Sequence, residues 1–600
     1  SVTGVQTCAL PILTSLDEAL QKLTPSFSSM TNGMGTTLSL NGLPDDYFIF
    51  LENGKRLYGD DTYARINVAK IKRIEILNGA SSALYGTNAI GGVINIITDD
   101  VKNAINVSSD TRYASKGRFT QSVNIDVNTG KFGSYTSYRR QQAEGWQLNP
   151  YEENSKTHEL EETGKVASTG FYANTVNQKF TFDATDKLSF YARGGYYDNK
   201  TRRPYEAYDY NILHETFNYG IGAQYMINKG NYITADCYAD HFSSSYCFFK
   251  DNKTYNGKAG EEQVRKRTRN HNLSIKGIFK LGNRHKLSVG TEYIVDVLKS
   301  QTDNIAKEDA YTLALFAQDE IKLLRNLQAL IGVRYIYHEN FKNHATPNVA
   351  LMYKPGKFNF RASYAAGFRT PTLSELYATD IAKKNDRLTI GNLDLKPEKN
   401  NYFSLSAEYV HERFSVSVNA FYNNIRDMID YNTIATGDKA MEQYGHKEVR
   451  QRDNIAEAKV HGINVSANAY LGAGFNLSGG YTHLNTQDVE LEQPIDKSIK
   501  NAYNINAQWA HSWKIYRLNI NLNGRFNSKR FSKSYGYAPE YQLWDLNTRH
   551  SFNLKSVIIE PGCGMENLFD YMDDRPYNSN YATLTPGRSF YISLSLKFKS

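Results

Sequence analysis

From about residue 106 to its end, the chain consists of segments in which apolar and polar residues alternate. In the last segment, for example, Ile592 and Leu594 are separated by Ser593. A period of two places one set of side chains on each face of a β-strand. Apolar side chains facing lipid and polar ones facing a wet lumen suit a transmembrane barrel, although a β-sandwich alternates too. The loops distinguish the two folds.

The connections between these segments come in two lengths. Short turns fall at residues 128–130, 183–187, 228–230, 282–284, 325–326, 354–356, 411–413, 472–474, 512–514 and 553–555. The longest connections occupy residues 141–175, 369–399 and 427–459. Short turns on one rim and long loops on the other are typical of outer-membrane barrels, and about ten turns join about 22 strands.

Length and composition exclude other classes. A chain of 600 residues exceeds one ordinary soluble core. Its mean hydropathy is −0.56 and no apolar run approaches the length of a spanning helix, which excludes a helical membrane protein. The 44 Tyr and 29 Phe fit a barrel. A net charge of +8, without a basic run interleaved with aromatic residues, argues against binding of nucleic acid.

A glycine-containing stretch precedes the alternating segments and reads KIKRIEILNGASSALYGTNAIGGVINIIT over residues 70–98. Residues 73–77 and 93–97 predict short strands, and Asn78-Gly79 predicts a turn, because glycine accepts a positive φ. Gly91 and Gly92 allow two backbones to approach closely. We therefore predict that Gly79, Gly91 and Gly92 are packing positions.

This stretch resembles the plug domain of TonB-dependent outer-membrane receptors, whose pattern, roughly ERIEVLKGPSSALYGSNAIGGVINIIT, it matches nearly without a gap. The resemblance implies a transmembrane β-barrel of about 22 antiparallel strands with an N-terminal α/β plug in its lumen. It places the plug at residues 14–100 and the barrel at 101–600. Residues 1–13, SVTGVQTCALPIL, look non-native and are left out of the predicted fold. The TonB box that precedes a plug is expected to be missing from this chain.

Two plug turns of the family face outward and touch the ligand, and they map to residues 58–63 and 85–88. The candidate ligand-binding residues are Tyr58, Asp60, Asp61, Tyr63, Tyr85, Thr87 and Asn88. A tyrosine offers a flat apolar face and a hydroxyl to a large polar chelate. The alternative is that these residues only stabilise the turns. Arg73 and Glu75 resemble plug charges that pair with the barrel wall in relatives.

Two motifs share one long loop and resemble the FRAP and NPDL boxes of these receptors. The matching residues are Phe368, Arg369, Pro371, Asn392, Asp394 and Leu395. Haem receptors often carry a histidine between the boxes, but residues 368–395 contain none, which weakens a haem assignment without excluding it.

Histidines and cysteines give no predicted metal site. The loop histidines are His158, His214, His338, His344, His446 and His483, and none forms a metal-spaced pair. Cys237 and Cys247 are ten residues apart. A disulfide that tightens a loop would need a hairpin or bulge between them, and two free thiols are the alternative.

No nucleophile, base and acid stand together, so we predict no enzyme and no cofactor. The resemblance implies active import at the Gram-negative cell outer membrane, with TonB, membrane lipid and a metal-chelate ligand as partners; a surface lipoprotein stays an open alternative. The transported ligand is expected to be an iron siderophore, haem or a cobalamin-like corrinoid. The rival prediction is a passive porin or surface adhesin, where a porin would have an open lumen and about 16–18 strands.

Overall fold

The computed structural model describes residues 2–6, 15–32, 35–79, 85–98, 104–147, 151–154, 157–164, 166–382, 386–533, 536–573 and 585–599. Residues 2–98 contain a mixed α/β plug, and a closed antiparallel barrel begins at Ile105.

The plug contains helix α1 (Leu16–Leu23) and eight strands. These are β1 Val2–Gln6, β2 Phe27–Asn32, β3 Gly35–Leu40, β4 Leu43–Pro44, β5 Phe48–Glu52, β6 Lys55–Arg56, β7 Ile71–Asn78 and β8 Gly92–Thr98, with 3-10 turns at Asp45–Tyr47 and Val68–Lys70. One sheet has the order β1-β7-β8-β5-β6, and a second has β2-β3-β4. Ser15 caps α1 by accepting the N–H of Glu18.

The plug has an apolar core of its own. Leu16 and Leu20 of α1 pack with Phe50 of β5 and Ile94 of β8, all at most 5% exposed. Strand β8 lies between β5 and β7 and is buried over its first five residues, which explains its continuous apolar sequence. The plug is therefore built like a small soluble domain, with apolar side chains inside.

The leader at residues 1–13 is partly described. Strand β1 pairs antiparallel with β7, with Val2 opposite Leu77 and Gln6 opposite Arg73. Residues that the sequence left out of the fold thus form the edge strand of the plug sheet, and residues 7–13 lie outside the described part of the chain.

The barrel closes through 22 strands. They are β9 Ile105–Ala114, β10 Arg118–Asn128, β11 Phe132–Ala143, β14 Gly170–Asp183, β15 Leu188–Arg202, β16 Tyr210–Asn228, β17 Asn231–Phe248, β18 Glu262–Leu281, β19 His285–Ser300, β20 Ile305–Lys322, β21 Leu327–His338, β22 Lys342–Tyr353, β23 Phe358–Arg369, β26 Glu398–Val410, β27 Phe414–Thr436, β28 Glu448–Gly472, β29 Phe475–Asp488, β30 Asn501–Trp513, β31 Tyr516–Asn527, β34 Tyr541–Leu554, β35 Val557–Glu566 and β36 Ser589–Lys599. Strand β36 pairs with β9 and leaves no open edge.

The loops contain three short hairpins and two helices. The hairpin strands are β12 Tyr151–Glu153, β13 Leu160–Glu162, β24 Thr379–Ala382, β25 Arg387–Ile390, β32 Arg530–Ser532 and β33 Gly536–Ala538, and the helices are Leu373–Tyr377 and Gly437–Tyr444. The predicted loop at 427–459 is shorter than expected, because β27 and β28 continue well into it.

The predicted fold class is confirmed, and the porin alternative is wrong, since the barrel has 22 strands and a plug. All ten predicted short turns connect consecutive strands. Side chains alternate as predicted: Phe590, Ile592 and Leu594 of β36 are 56%, 67% and 42% exposed on the outer face. Among the described helices, none is long and apolar enough to cross a bilayer.

Candidate functional site

The plug turn at residues 58–63 forms a tip that contacts strands β16 to β18 through charged groups. Lys266 Nζ donates to the Asp60 carboxylate at 3.1 Å, and the Asp61 carboxylate lies 2.7 Å from His214 Nδ1. Burial alone would raise the pKa of Asp61, but the hydrogen bond and charge of His214 hold it below its ordinary value. Both aspartates therefore meet barrel residues, and Asp60 remains half exposed, at 51%.

The three tyrosines of the two plug turns do not form one surface. Tyr58 donates its backbone N–H to Asp240 of β17 at 2.9 Å, and its ring is half-buried. Tyr63 packs on the plug core, with its ring 6.4 Å from that of Phe50. Tyr85 packs against a second apolar cluster of the plug. The rings of Tyr63 and Tyr85 thus pack on apolar side chains of the plug, and their contact with a ligand stays a prediction.

The second plug turn, residues 85–88, docks on the end of strand β23. Thr87 Oγ1 accepts the N–H of Thr370 at 3.0 Å, and the N–H of Asn88 donates to the carbonyl oxygen of Phe368 at 3.3 Å. Thr87 and Asn88, expected to contact ligand, therefore form a joint between the plug and the first sequence box.

Arg369, the second residue of that box, is the centre of a buried network. Its guanidinium donates to both carboxylate oxygens of Glu375 at 3.0 Å and to Glu398 at 2.5 Å. Glu398 is 0% exposed and also accepts the hydroxyl of plug residue Tyr47 at 3.2 Å. We name Tyr47, Arg369, Glu375 and Glu398 the anchor. Arg369 is closed off from solvent. It connects β23 to the loop through Glu375 and to β26 through Glu398, which in turn accepts the hydroxyl of plug residue Tyr47.

The remaining box residues also pack. Phe368 joins a buried cluster with side chains of β20 and β21, and Pro371 is buried. Asn392 donates to a backbone carbonyl of β28 at 3.0 Å and accepts the N–H of Asp394 at 2.9 Å. Leu395 packs with helix Leu373–Tyr377 and β27. The two boxes therefore fold the loop against the barrel wall, with Asp394 on the surface.

Among the described residues, Arg73 and Glu75 pair with each other and form no ion pair with the barrel. Arg73 Nε donates to Glu75 Oε1 at 2.7 Å, and Glu75 Oε2 accepts from Asn95 at 3.0 Å. The two residues are separated by one position on β7, so they share a face of the strand and reach each other. Plug–barrel ion pairs are made instead by other plug residues, such as Lys55 with Asp236 at 2.5 Å.

The three predicted packing glycines lie in contact with other parts of the molecule. A Cβ on Gly79 would overlap the ring of Tyr402 in the barrel. A Cβ on Gly91 would lie 3.2 Å from the carbonyl oxygen of Tyr47, and one on Gly92 would lie 2.6 Å from that of Leu77. No larger residue fits at Gly79 or Gly92 without a shift of its neighbours.

Carboxylates surround the base of the outer funnel. Asp45 and Asp46 are exposed on the plug beside the anchor. Desolvation, followed by the charges of Asp46 and Asp60, raises the pKa of Asp45 to about 6. Within the described part of the chain, no group of three His, Cys, Asp or Glu side chains could hold a metal ion. These carboxylates are therefore not a predicted metal site.

A cluster of rings and guanidinium groups lines the wall above the tip. The rings of Tyr210 and Tyr246 stack at 4.1 Å, and that of Tyr255 lies 5.2 Å from Tyr246. Arg265 lies 4.8 Å from the Tyr255 ring centroid, and Arg203 lies 5.0 Å from that of Tyr210. We name these five residues the aromatic wall.

The aromatic wall faces the lumen. Tyr210 shares a strand face with His214, which touches the plug tip, and four residues along a strand span about 13 Å. Sequence reasoning missed these residues, because they come from strands β16, β17 and β18 and the adjoining loops, which the strand pairing brings together. The sequence signals that could have indicated this cluster are the runs Tyr-Asp-Tyr at 208–210 and Arg-Lys-Arg at 265–267.

The candidate histidines have other contacts. His214, His446 and His483 lie 2.7–2.9 Å from Asp61, Asp386 and Asn501. His338 is buried, the ring of His344 stacks on Phe368 at 5.3 Å, and His158 lies exposed in the loop after β11.

Cys237 and Cys247 both lie on strand β17, and both are free thiols. Ten residues of extended strand separate their Cα atoms by about 33 Å, far beyond the span of a disulfide. The disulfide alternative is therefore wrong.

Several solved structures of other proteins share this architecture. The ferric enterobactin receptor PfeA of Pseudomonas aeruginosa superposes with a TM-score of 0.83 at 16% identity, covering 100% of this chain and 99% of PfeA. The siderophore receptor PirA of Acinetobacter baumannii gives 0.79 at 16% identity, with 100% and 98% covered. The FrpB iron transporter of Neisseria meningitidis gives 0.76 at 14% identity, with 98% and 97% covered. At these identities the likeness shows a common fold.

Two family models match the sequence. The TonB-dependent receptor plug domain matches residues 3–93, and the TonB-dependent receptor-like β-barrel matches residues 108–560. The barrel model alone covers more than half of the chain, and its bounds agree with the start of the barrel in the structure. The protein therefore belongs to the TonB-dependent receptor family of the Gram-negative outer membrane.

Proposed function

We propose that this protein imports an iron siderophore and holds it in the funnel between the plug tip and the aromatic wall. The observation that carries the proposal is the wall itself. Stacked tyrosine rings offer flat faces to an aromatic chelate, and Arg203 and Arg265 offer donors to its anionic oxygens. A siderophore with aromatic iron-binding groups is the ligand that this chemistry favours.

The structural neighbours support the same class of ligand. PfeA is described as a ferric enterobactin receptor and PirA as a siderophore receptor. Haem is less favoured, because His214 is engaged with Asp61 and His338 is buried, so neither side chain offers iron an open imidazole. A corrinoid is bulkier and has no matching group in the aromatic wall.

Import requires that the plug move, and we infer that TonB supplies the force. The plug leaves a polar cavity of about 420 Å³ against strands β26 to β30, lined by side chains such as Asn464, Ser466, Asn504 and Asn506. Most of its lining is amides and hydroxyls, which can exchange hydrogen bonds with a polar chelate, and Lys22, Arg361 and Glu408 add charges.

Ligand titration of the purified protein tests the proposal. Quenching of intrinsic fluorescence would be followed with a ferric catecholate, a ferric hydroxamate, haem and cobalamin. We expect the ferric catecholate to bind tightest, and the double variant Tyr246→Ala, Tyr255→Ala to weaken it at least tenfold. Tyr205→Ala, which removes a 60% exposed ring from a neighbouring loop, is the matched control and should change little. Equal affinity of wild type and double variant would refute a site at the aromatic wall.

A further inference from the structure

Strands β17, β18 and β19 carry basic side chains on the outside of the barrel, near the long loops. Lys266 of β18 points inward to the plug residue Asp60, so the neighbouring positions Arg267 and Arg269 point outward, and both are exposed. His271 and Lys299 are also exposed on this face, and His241 is half-buried beside them. We name His241, Arg267, Arg269, His271 and Lys299 the basic rim patch.

The basic rim patch lies directly beyond the lipid-facing band. On β18 the next outward residues are Leu273 and Ile275, which are 50% and 47% exposed. Tyr219 and Tyr293 flank the boundary, where aromatic residues mark the membrane interface. Arg269 lies four residues from Leu273, or about 13 Å along the strand. The patch therefore reaches the level of the lipid headgroups on the side of the long loops.

Like charges face one another at one position of this patch, and a guanidinium faces an imidazole at the next. Arg267 lies directly opposite Lys299, and Arg269 lies directly opposite His241. The rings of His241 and His271 are 5.3 Å apart. Opposed like charges destabilise a sheet unless an anion lies between them. The arrangement thus favours an external counter-ion.

The protein does not supply that counter-ion. Glu215, an outward carboxylate on β16, accepts the hydroxyl of Tyr196 at 2.8 Å, and Asp309 on β20 pairs with Lys307 at 3.3 Å. Over the residues that the structure describes, no carboxylate forms an ion pair with Arg267, Arg269 or Lys299.

We propose that the basic rim patch binds the phosphate-bearing headgroup of a lipid in the outer leaflet. Two guanidinium groups and an ammonium group supply several donors that match phosphate oxygens. Basic clusters beside a membrane surface attract anionic lipid headgroups. The apolar side chains Leu273 and Ile275 directly beside the patch would contact the acyl chains of the same lipid. One lipid molecule would thus contact the basic side chains with its headgroup and the apolar side chains with its acyl chains.

Native mass spectrometry of the detergent-purified full chain tests the proposal. The probes are a bisphosphorylated diglucosamine lipid and the same lipid after dephosphorylation. We expect wild type to bind the phosphorylated form, and the triple variant Arg267→Gln, Arg269→Gln, Lys299→Gln to weaken that binding about 100-fold. Binding of the dephosphorylated lipid should be weak and unchanged.

A matched control removes the same charge from the opposite rim. Lys131, Lys187 and Lys229 are exposed in the short turns, and their replacement by Gln should leave binding unchanged. Three outcomes would overturn the proposal: no preference of wild type for the phosphorylated lipid, equal binding by the triple variant, or the same loss in the control. Complete displacement by millimolar inorganic phosphate would point to a free-anion site and would likewise overturn it.

Discussion

Two of the contacts between the plug and the barrel differ in kind. At the anchor, the contact is the hydrogen bond from the hydroxyl of plug residue Tyr47 to Glu398, and these two residues are 6% and 0% exposed. At the tip, the side chains of Lys266 and Asp60 are 34% and 51% exposed. Breaking a buried pair leaves a charge without solvent, whereas water replaces the partner of an exposed one. The plug is therefore held by a buried bond at β26 and by a partly hydrated ion pair at β18, beside the proposed ligand site.

The largest effect is expected at the anchor. Glu398→Ala would leave Arg369 with one carboxylate partner and remove the acceptor of the Tyr47 hydroxyl, at a cost of about 3–5 kcal/mol. Hydrogen exchange of strand β8 would report the loosened plug. The control Asp251→Ala breaks an exposed pair with Lys258 and should leave that exchange unchanged. Unaltered protection of β8 in Glu398→Ala would show that the anchor does not hold the plug.

The next effect separates the cost of backbone strain at a glycine position from the cost of overlap with a neighbouring side chain. Gly79 and Gly54 have similar φ values, +82° and +79°, but a Cβ at Gly79 would overlap Tyr402, whereas nothing lies within 4 Å of one at Gly54. Both alanine variants share the backbone cost, and only Gly79→Ala adds overpacking of about 1–3 kcal/mol. We expect greater leakage of large antibiotics with Gly79→Ala at equal surface levels. Equal permeability of the two variants would mean that the contact with Tyr402 is not tight.

The sequence predicted the barrel and the plug because both patterns are local. Alternation such as Phe590 to Phe598 determines which face meets lipid, and Gly91-Gly92 requires a close approach wherever it occurs. The candidate site was predicted less well, because tertiary contacts decide which way a turn residue points. Tyr63 has the same sequence signature whether it faces a ligand or Phe50.

Two further failures have the same origin. Arg73 and Glu75 satisfy each other on one strand, a possibility that a resemblance to paired charges does not reveal. The aromatic wall joins Tyr210 with Tyr246 and Tyr255, and only the pairing of β16 with β17 brings the first two together. Sequence separation hides such a cluster.

A smaller, pH-dependent effect is expected at Asp45. Its folded-state pKa of about 6 lies above the ordinary value of 3.8, so the folded protein binds more protons between these limits. The contribution of this group to stability is therefore present at low pH and is lost as pH rises from about 4 to 6. Asp45→Asn should flatten that part of the profile of thermal midpoint against pH. Asp251→Asn, at an exposed carboxylate whose pKa is lowered by a backbone hydrogen bond from Ala259, should not. An unchanged slope in Asp45→Asn would contradict the assignment.

The smallest effect is expected at the tip and tests whether this contact is loose. In a double-mutant cycle of Lys266→Ala and Asp60→Asn, the coupling free energy should be about 0.2–1 kcal/mol, because both groups are partly hydrated. It should decrease further in 1 M salt, where screening acts over about 3 Å. The coupling free energy would be measured from denaturant titrations in which hydrogen exchange of the plug amides reports unfolding of the plug. The same cycle on Tyr47→Phe and Glu398→Gln, which probes the plug's own bond at the anchor, should give a larger coupling of about 1.5–3 kcal/mol that salt barely changes, because Glu398 is closed off from ions. A coupling at the tip as large and as salt-resistant as that of the anchor would remove the distinction between the two contacts, and with it the expectation that the plug yields first beside the aromatic wall.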